Sequence, residues 1–222
     1  MVERNVKLGT GPSDCADVNP GCSSIVHKIT TATGKCFDIY CDMDSDQGHW
    51  NVIHNRGDSS VDFYRNWNEY KTGFGDVTGN FWLGNENIYS MMVFSRYKLR
   101  IELEAWGGTV GIVEYSLFKI SSEADNYRLT IGGFSGTTSD AMDHVNGQMF
   151  STKDRDNDET STRNCAVYRH GAWWYRACAF ANLNGRYTVD TGNSKSSMYW
   201  KFFFAERSHV PMKKARMMIK RY

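Results

Sequence analysis

Ser151–Tyr187, STKDRDNDETSTRNCAVYRHGAWWYRACAFANLNGRY, combines three kinds of chemistry that occur together nowhere else in the chain. Asp154, Asp156 and Asp158 alternate with other residues, a spacing that throws carboxylates to one side of an extended or looping backbone. Hard oxygen donors of this kind suit Ca2+. The EF-hand loop requires Gly at its sixth position and Glu at its twelfth; counting from Asp154, those positions hold Glu159 and Cys165, so that motif is excluded. What remains is a non-helical loop whose further ligands are backbone carbonyls within residues 159–163. Spacing alone leaves a second reading open, a solvated acidic loop with Lys153, Arg155 and Arg163 as counter-charges. Cys165 and Cys178 follow, enclosing Ala172-Trp173-Trp174-Tyr175, and then comes the polar run Asn182-Leu183-Asn184-Gly185-Arg186-Tyr187.

A chain of 222 residues is long enough to bury a sizeable core. Its net charge of +1, with 23% charged residues, argues against a nucleic-acid binder held by bulk electrostatics. Aromatic residues make up 14% of the chain, which indicates a packed recognition domain. The cysteines fall in two clusters, Cys15, Cys22, Cys36 and Cys41 near the start and Cys165 and Cys178 near the end. An even, clustered count implies disulfides and an oxidising, extracellular setting; no two lie close enough for a zinc-type pair. Several pairings of the first four remain open on spacing.

No apolar run approaches the ~20 residues of a membrane span. Met1–Asn5 lacks the apolar core of a signal peptide, so a mature domain is expected. There is no Asn-x-Ser/Thr sequon, and N-glycans are not expected.

Residues 1–12 hold Gly9, Gly11 and Pro12 and are expected to form a flexible lead-in, with one domain over residues 13–222. Two β-rich runs between Ile25 and Cys41 flank Thr33-Gly34, the pattern of a hairpin. Trp50–His54 alternates as a third strand. Arg56-Gly57-Asp58 matches the integrin-adhesion tripeptide, a short match that chance also supplies at a turn between strands. Helical spacing is expected over Asp62–Phe74 and Leu83–Met92, and strands over Tyr97–Glu104, Val110–Ile120 and Tyr127–Ile131. Beyond Gly132 the periodicity fades into a long loop-rich region, which in a compact domain is normally functional. Met212–Tyr222 is read as a final strand. Its Lys213, Lys214, Arg216, Lys220 and Arg221 form a solvated basic face rather than a heparin or nucleic-acid patch. The fold class is therefore α+β, an antiparallel sheet with short helices and long loops.

NCAV, HGAWWY and NLNGRY after STKDRDND resemble the C-terminal half of a fibrinogen-related domain, the module of ficolins, tachylectins, tenascins, angiopoietins and the fibrinogen chains. The resemblance extends back through Asp14-Cys15-Ala16-Asp17, Tyr40-Cys41-Asp42-Met43-Asp44, Asp62-Phe63-Tyr64-Arg65-Asn66-Trp67, Phe81–Ile88 and Glu123–Leu129, and covers about Ser13 to Ile219. It implies disulfides Cys15–Cys41 and Cys165–Cys178, leaving Cys22–Cys36 as a further staple of roughly 2–4 kcal/mol. It implies a Ca2+ site formed by Asp156 and Asp158 with backbone oxygens near Thr160 and Thr162, Asp154 supporting the loop from outside. The loop is one residue longer here than is usual in the family. Beside the metal, family lectins bind the acetyl group of N-acetylated sugars next to a cis peptide bond, which here is Ala177–Cys178.

The walls of that pocket depart from the family pattern. Arg169 stands where an aromatic is common, Ala179 where His is common, and Ser194 where a Tyr is expected; His170 and Lys195 complete the candidate ligand set. Loss of these groups with a gain of positive charge points to acidic glycans, sialylated or sulfated, because a guanidinium forks onto carboxylate or sulfate. The alternative role for Arg169 is pairing with the acidic loop.

No Gly-x-Ser-x-Gly, His-Glu-x-x-His or phosphate-binding Gly-Lys-Ser/Thr motif is present, and pairing of Cys178 would consume the thiol of a Cys178–His170 nucleophile. An enzyme is not expected. Two classes of function remain. One is a secreted calcium-dependent lectin for pattern recognition in innate immunity, binding N-acetylated, sialylated or sulfated surface glycans, with a homo-oligomer for avidity. The other is a protein-interaction module of the tenascin or angiopoietin kind with protein receptors.

Overall fold

The computed structural model describes residues 11–19, 21, 23–189, 195–205 and 209–222. Cys22 and Ser194 lie outside them, as does most of the expected lead-in. The strands are β1 (Ile25–Thr30), β2 (Cys36–Asp42), β3 (Trp50–Arg56), β4 (Phe74–Gly75), β5 (Phe81–Trp82), β6 (Tyr97–Ala105), β7 (Val110–Ile120), β8 (Leu129–Gly136), β9 (Ala181–Asn182), β10 (Tyr199–Lys201) and β11 (His209–Arg221). The helices are α1 (Trp67–Thr72), α2 (Asn85–Met92) and α3 (Cys165–Arg169). The main sheet runs β1-β2-β3-β11-β6-β7-β8 with every neighbour antiparallel. The final strand of the chain is thus central, hydrogen-bonded on one side to β3 and on the other to β6.

Alternation explains why β6 faces as it does. Tyr97, Leu99, Ile101, Leu103 and Ala105 are buried, while Lys98, Arg100, Glu102 and Glu104 between them are half-buried on the other face. On β11 the register against β3 shifts between Met217 and Met218, and both side chains are buried, as a bulge permits. The basic residues of β11 are largely paired: Arg216 with Asp42 at 2.6 Å, Lys213 and Lys214 with Glu104 at 3.1 and 2.8 Å, and Arg221 with Asp14 at 3.3 Å.

Two expectations need correction. The helix expected over Asp62–Phe74 begins only at Trp67, because Asn66 caps it: its side chain accepts from the Glu69 amide at 3.0 Å while Glu69 accepts from the Asn66 amide at 2.9 Å. Before the cap, Asp62 holds the Tyr64 amide at 2.9 Å in a local turn. The strand expected over Tyr127–Ile131 begins at Leu129 and continues to Gly136, since Asn126 and Tyr127 take left-handed φ values of 52° and 50°.

Aromatic rings join the sheet to the loop-rich C-terminal region. Phe150 lies 5.2 Å from Trp174, 5.3 Å from Tyr70 and 6.0 Å from Trp82 between ring centroids, and the Trp174 indole donates to the Tyr127 carbonyl at 2.8 Å. From β3, Arg56 donates to the carbonyls of Leu183 and Gly185 and lies 4.2 Å from the Phe63 ring centroid. Arg56 is only 2% exposed, so the arginine that an adhesive Arg-Gly-Asp must present is enclosed. Asp58 meanwhile accepts from the Ser60 amide at 2.7 Å and from the Asn80 side chain. The adhesive reading falls on that geometry.

His54, also on β3, is fully buried between Phe63 and Trp82, and burial together with nearby Arg56 pushes its pKa down to about 3. Between that value and the ordinary histidine pKa of about 6.5, the unfolded chain binds a proton that the folded chain refuses, so this contribution to stability rises with pH through the window. The denaturant midpoint should fall from pH 6.5 to pH 4, and the fall should be shallower in His54→Leu by up to ~1.4 kcal/mol per pH unit. Urea titrations across that range check this.

Candidate functional site

The acidic loop is built by side chains that tie down its backbone. Ser151 and Trp173 form an isolated antiparallel bridge, Asn157 donates to the Phe150 carbonyl at 2.7 Å, and Asn164 donates to the Thr152 carbonyl at 3.0 Å. Asn164 also caps α3, accepting from the Ala166 and Val167 amides at 2.7 and 3.1 Å. Asp154 looks away from the loop: it accepts from the Trp67 amide at 2.9 Å, at the start of α1, and from the Thr152 hydroxyl at 2.7 Å.

Asp158 is the hub. One carboxylate oxygen accepts from the Thr160 amide and the other from the Cys165 amide, both at 2.7 Å, and Asp156 accepts from the Asp158 amide at 3.3 Å. Burial, opposed by those amides and reinforced by the Asp156 carboxylate, raises the Asp158 pKa. The carbonyls of Thr160 and Thr162 accept no hydrogen bond from any described group. Asp156 and Asp158 offer carboxylate oxygens and the Thr160 and Thr162 carbonyls are uncommitted, oxygen donors of the kind that suits Ca2+. Among the described residues no three His, Cys, Asp or Glu side chains cluster around a metal-sized space, so any ion held here takes the rest of its shell from backbone and water.

The Cys165–Cys178 disulfide joins the loop to the segment beyond it, and Cys15–Cys41 closes the other end of the molecule. Cys178 therefore offers no nucleophilic thiol. Cys36 is exposed and unbonded to any described cysteine, and its expected partner Cys22 lies outside the described residues. The Ala177–Cys178 peptide bond is cis. Ala177 is exposed and Ala179 is buried, its carbonyl accepting from the Tyr199 hydroxyl at 2.9 Å.

Arg169 lies against this wall. It is 7% exposed, donates to the Lys195 carbonyl at 3.2 Å, lies 5.4 Å and 5.6 Å from the ring centroids of Tyr168 and Tyr199, and leaves its Nε without a partner. Among the described residues it forms no ion pair, so it is not spent on the acidic loop. His209 packs edge-on against Tyr199 at 4.5 Å, and its pKa is pushed down to about 4 by burial and then by Arg169, Lys201 and Lys195, which keeps the ring neutral near pH 7. His170 separates from the rest of the expected set, stacking on Tyr64 at 3.9 Å instead.

Tyr199, Lys201 and His209 were not singled out from sequence. They lie on β10 and β11, and only the pairing of those strands brings them to Arg169. No local signal marks them.

The molecule is thus an antiparallel sheet built around its own last strand, with a disulfide-tied acidic loop in the region that follows β8. Residues 12–222 match the family model described as fibrinogen beta and gamma chains, C-terminal globular domain, and the chain belongs to that family. It is 37% identical over 214 residues, 93% of this chain and 75% of the relative, to fibrinogen-like protein A of Apostichopus parvimensis. It is 40% identical to human ficolin-3 over 81% of this chain and 60% of that one, and 40% identical to Xenopus laevis fibrinogen C domain-containing protein 1-B over 83% and 42%. The chain thus spans well under two thirds of the length of the latter two.

Among solved structures, the fibrinogen-like globe domain of human ANGPTL2 superposes with TM-score 0.87 at 37% identity, covering 94% of this chain and 98% of that domain. Lamprey fibrin D-dimer in complex with the peptide Gly-His-Arg-Pro-amide superposes with TM-score 0.84 at 30% identity, covering 96% and 74%. No helix among the described residues is long and apolar enough to cross a membrane.

The two carboxylates carry different loads. Asp158→Ala should cost about 1–3 kcal/mol by freeing the Thr160 and Cys165 amides, whereas Asp156→Ala, which loses one long bond, should stay within about 0.5 kcal/mol. Guanidinium unfolding in the presence of chelator measures the difference.

Proposed function

We propose that this domain is a secreted, calcium-dependent lectin that recognises acidic glycans, sialylated or sulfated, on cell or microbial surfaces. The carrying observation is the buried Arg169, with no ion-pair partner among the described residues, in a cluster with Lys195, Lys201 and His209, joined through Cys178 to the Asp156/Asp158 loop. A guanidinium withdrawn from water and left without a carboxylate is poised to pair with one from a ligand. Ala179 contributes no side-chain hydrogen-bonding group, so neutral N-acetylhexosamine loses a contact there, and the cationic wall shifts preference toward anions. Calcium, held by Asp156, Asp158 and the carbonyls of Thr160 and Thr162, shapes the wall without touching sugar. Kinship with human ficolin-3 supports the lectin reading, and the two disulfides support secretion.

A second reading is favoured by a specific feature. Val167, Tyr168, Phe202 and Phe204, 50%, 44%, 37% and 45% exposed, lie on the segments around Arg169 and Lys201, an apolar rim suited to a protein partner. The resemblance to the ANGPTL2 globe and to a fibrin bound to a peptide agrees with that alternative.

The deciding experiment is a glycan array with N-acetylated, sialylated and sulfated sugars, run with calcium and with chelator. Binding should be confined to the acidic sugars, and binding of the sulfated ones should be lost in chelator and weakened at least tenfold by Arg169→Met, which keeps much of the side-chain volume without the charge. Calcium at a hundredfold excess over its Kd should stabilise the domain by about 2.7 kcal/mol, some 5–10 °C in Tm. A folded, calcium-binding domain silent across the array would move the assignment to the protein-binding reading.

A further inference from the structure

A cleft of about 320 Å³ opens between the turn after β3 and the segment after β9. Arg56 and Phe63 form part of its lining, with Asp62, Tyr64, His170 and Arg186 around them. Its size is within the range of ligand sites. The contacts that define it are a different set from those of Arg169, whose neighbours are Tyr168, Tyr199 and Lys195.

Arg56 is the anomaly in this cleft. It is 2% exposed, and burial lowers its pKa to about 10, yet among the described residues it has no carboxylate within ion-pair distance and its Nε has no partner. Asp58 and Asp62 act on it only at longer range. Two carbonyls and the Phe63 ring are its immediate contacts, so a full charge is enclosed without a counter-ion. Arg186 adds an exposed guanidinium, whose side-chain contact is the His170 Nδ1 at 3.3 Å. His170 accepts that bond as the neutral ring and stacks on Tyr64, so it is already oriented and does not compete for an anion. Across the cleft Asp62 accepts only the Tyr64 amide, leaving carboxylate lone pairs for ligand hydroxyls, and exposed Ser59 adds another polar group.

We infer that this cleft is a second, calcium-independent binding site for a carboxylate-bearing sugar, of the sialic or uronic acid class. Its carboxylate is taken by Arg186 over the field of Arg56, and its hydroxyls by Asp62 and Ser59. A bare oxyanion would leave most of the volume and the hydroxyl acceptors unused; a neutral sugar would leave Arg56 uncompensated.

Calorimetric titration of the full chain with N-acetylneuraminic acid and with glucuronic acid, each with and without chelator, tests this. One binding event is expected to survive in chelator and in Arg169→Met, to weaken at least tenfold in Arg186→Ala, and to weaken in Asp62→Asn. Arg186 is exposed, so its replacement leaves the fold intact, which circular dichroism verifies. The inference is overturned if neither acid binds in chelator, if Arg186→Ala leaves that binding unchanged, or if inorganic sulfate binds as tightly as the sugars. The sulfated-sugar signal on the array, read in Arg169→Met, reports the calcium-site reading alone, so its failure is separated from a failure of this one.

Discussion

The architecture depends on satisfying the backbone of a long segment that belongs to no regular sheet. Between β8 and β10 the described residues form only a 3-10 turn at Asp143–Val145, α3 and two residues of strand, yet much of the segment is buried, and buried amides and carbonyls must find partners. Side-chain amides and one arginine supply them. Asn182 donates to the carbonyls of Arg169 and Ser197, both at 3.0 Å, and accepts from the Tyr175 hydroxyl at 2.6 Å; Asn184 donates to the Ala172 carbonyl at 3.0 Å. Asn157, Asn164 and Arg56 do the same for Phe150, Thr152, Leu183 and Gly185. Each amide substitutes for a missing ladder partner.

This arrangement explains what was legible in the sequence. Strands β6 and β7 show in the alternation of buried and more exposed residues, because a single covered face imposes period two, whereas β3 is buried along nearly its whole length. Helix α1 is harder, since Trp67 and Tyr70 continue an apolar spacing that starts before the cap at Asn66, and only the reciprocal Asn66–Glu69 bonds fix its beginning. The Arg-Gly-Asp match shows the limit of a short motif. Whether Arg56 faces solvent depends on Leu183 and Gly185, which are remote in sequence.

The candidate site divides in the same way. Asp156, Asp158, Cys165 and Cys178 are close in sequence and were recognisable as a unit. The cationic neighbourhood of Arg169 was only half visible: Lys195 could be proposed, but His209 and Lys201 arrive through the pairing of β10 with β11. His170 was placed with the wrong group, because adjacency to Arg169 does not decide direction at a residue with a left-handed φ of 51° that ends α3. That turn sends its ring to Tyr64.

Charge distribution ties these points together. A net charge of +1 suggests an electrically neutral molecule, but pairing is uneven. Across the sheet, cations meet carboxylates at short range: Arg100 with Glu102 and Glu114 at 2.8 and 2.7 Å, Arg216 with Asp42, Lys214 with Glu104. Arg56 at the end of β3, and Arg169 and Arg186 in the loop region, form no ion pair among the described residues. Paired charges cancel within a few ångströms, whereas buried unpaired ones are poorly screened and project into the nearest cleft. The field of this molecule is therefore set less by its composition than by where carboxylates are missing. Arg56 and Arg169 are the buried members of that set, each held by backbone carbonyls rather than by a carboxylate.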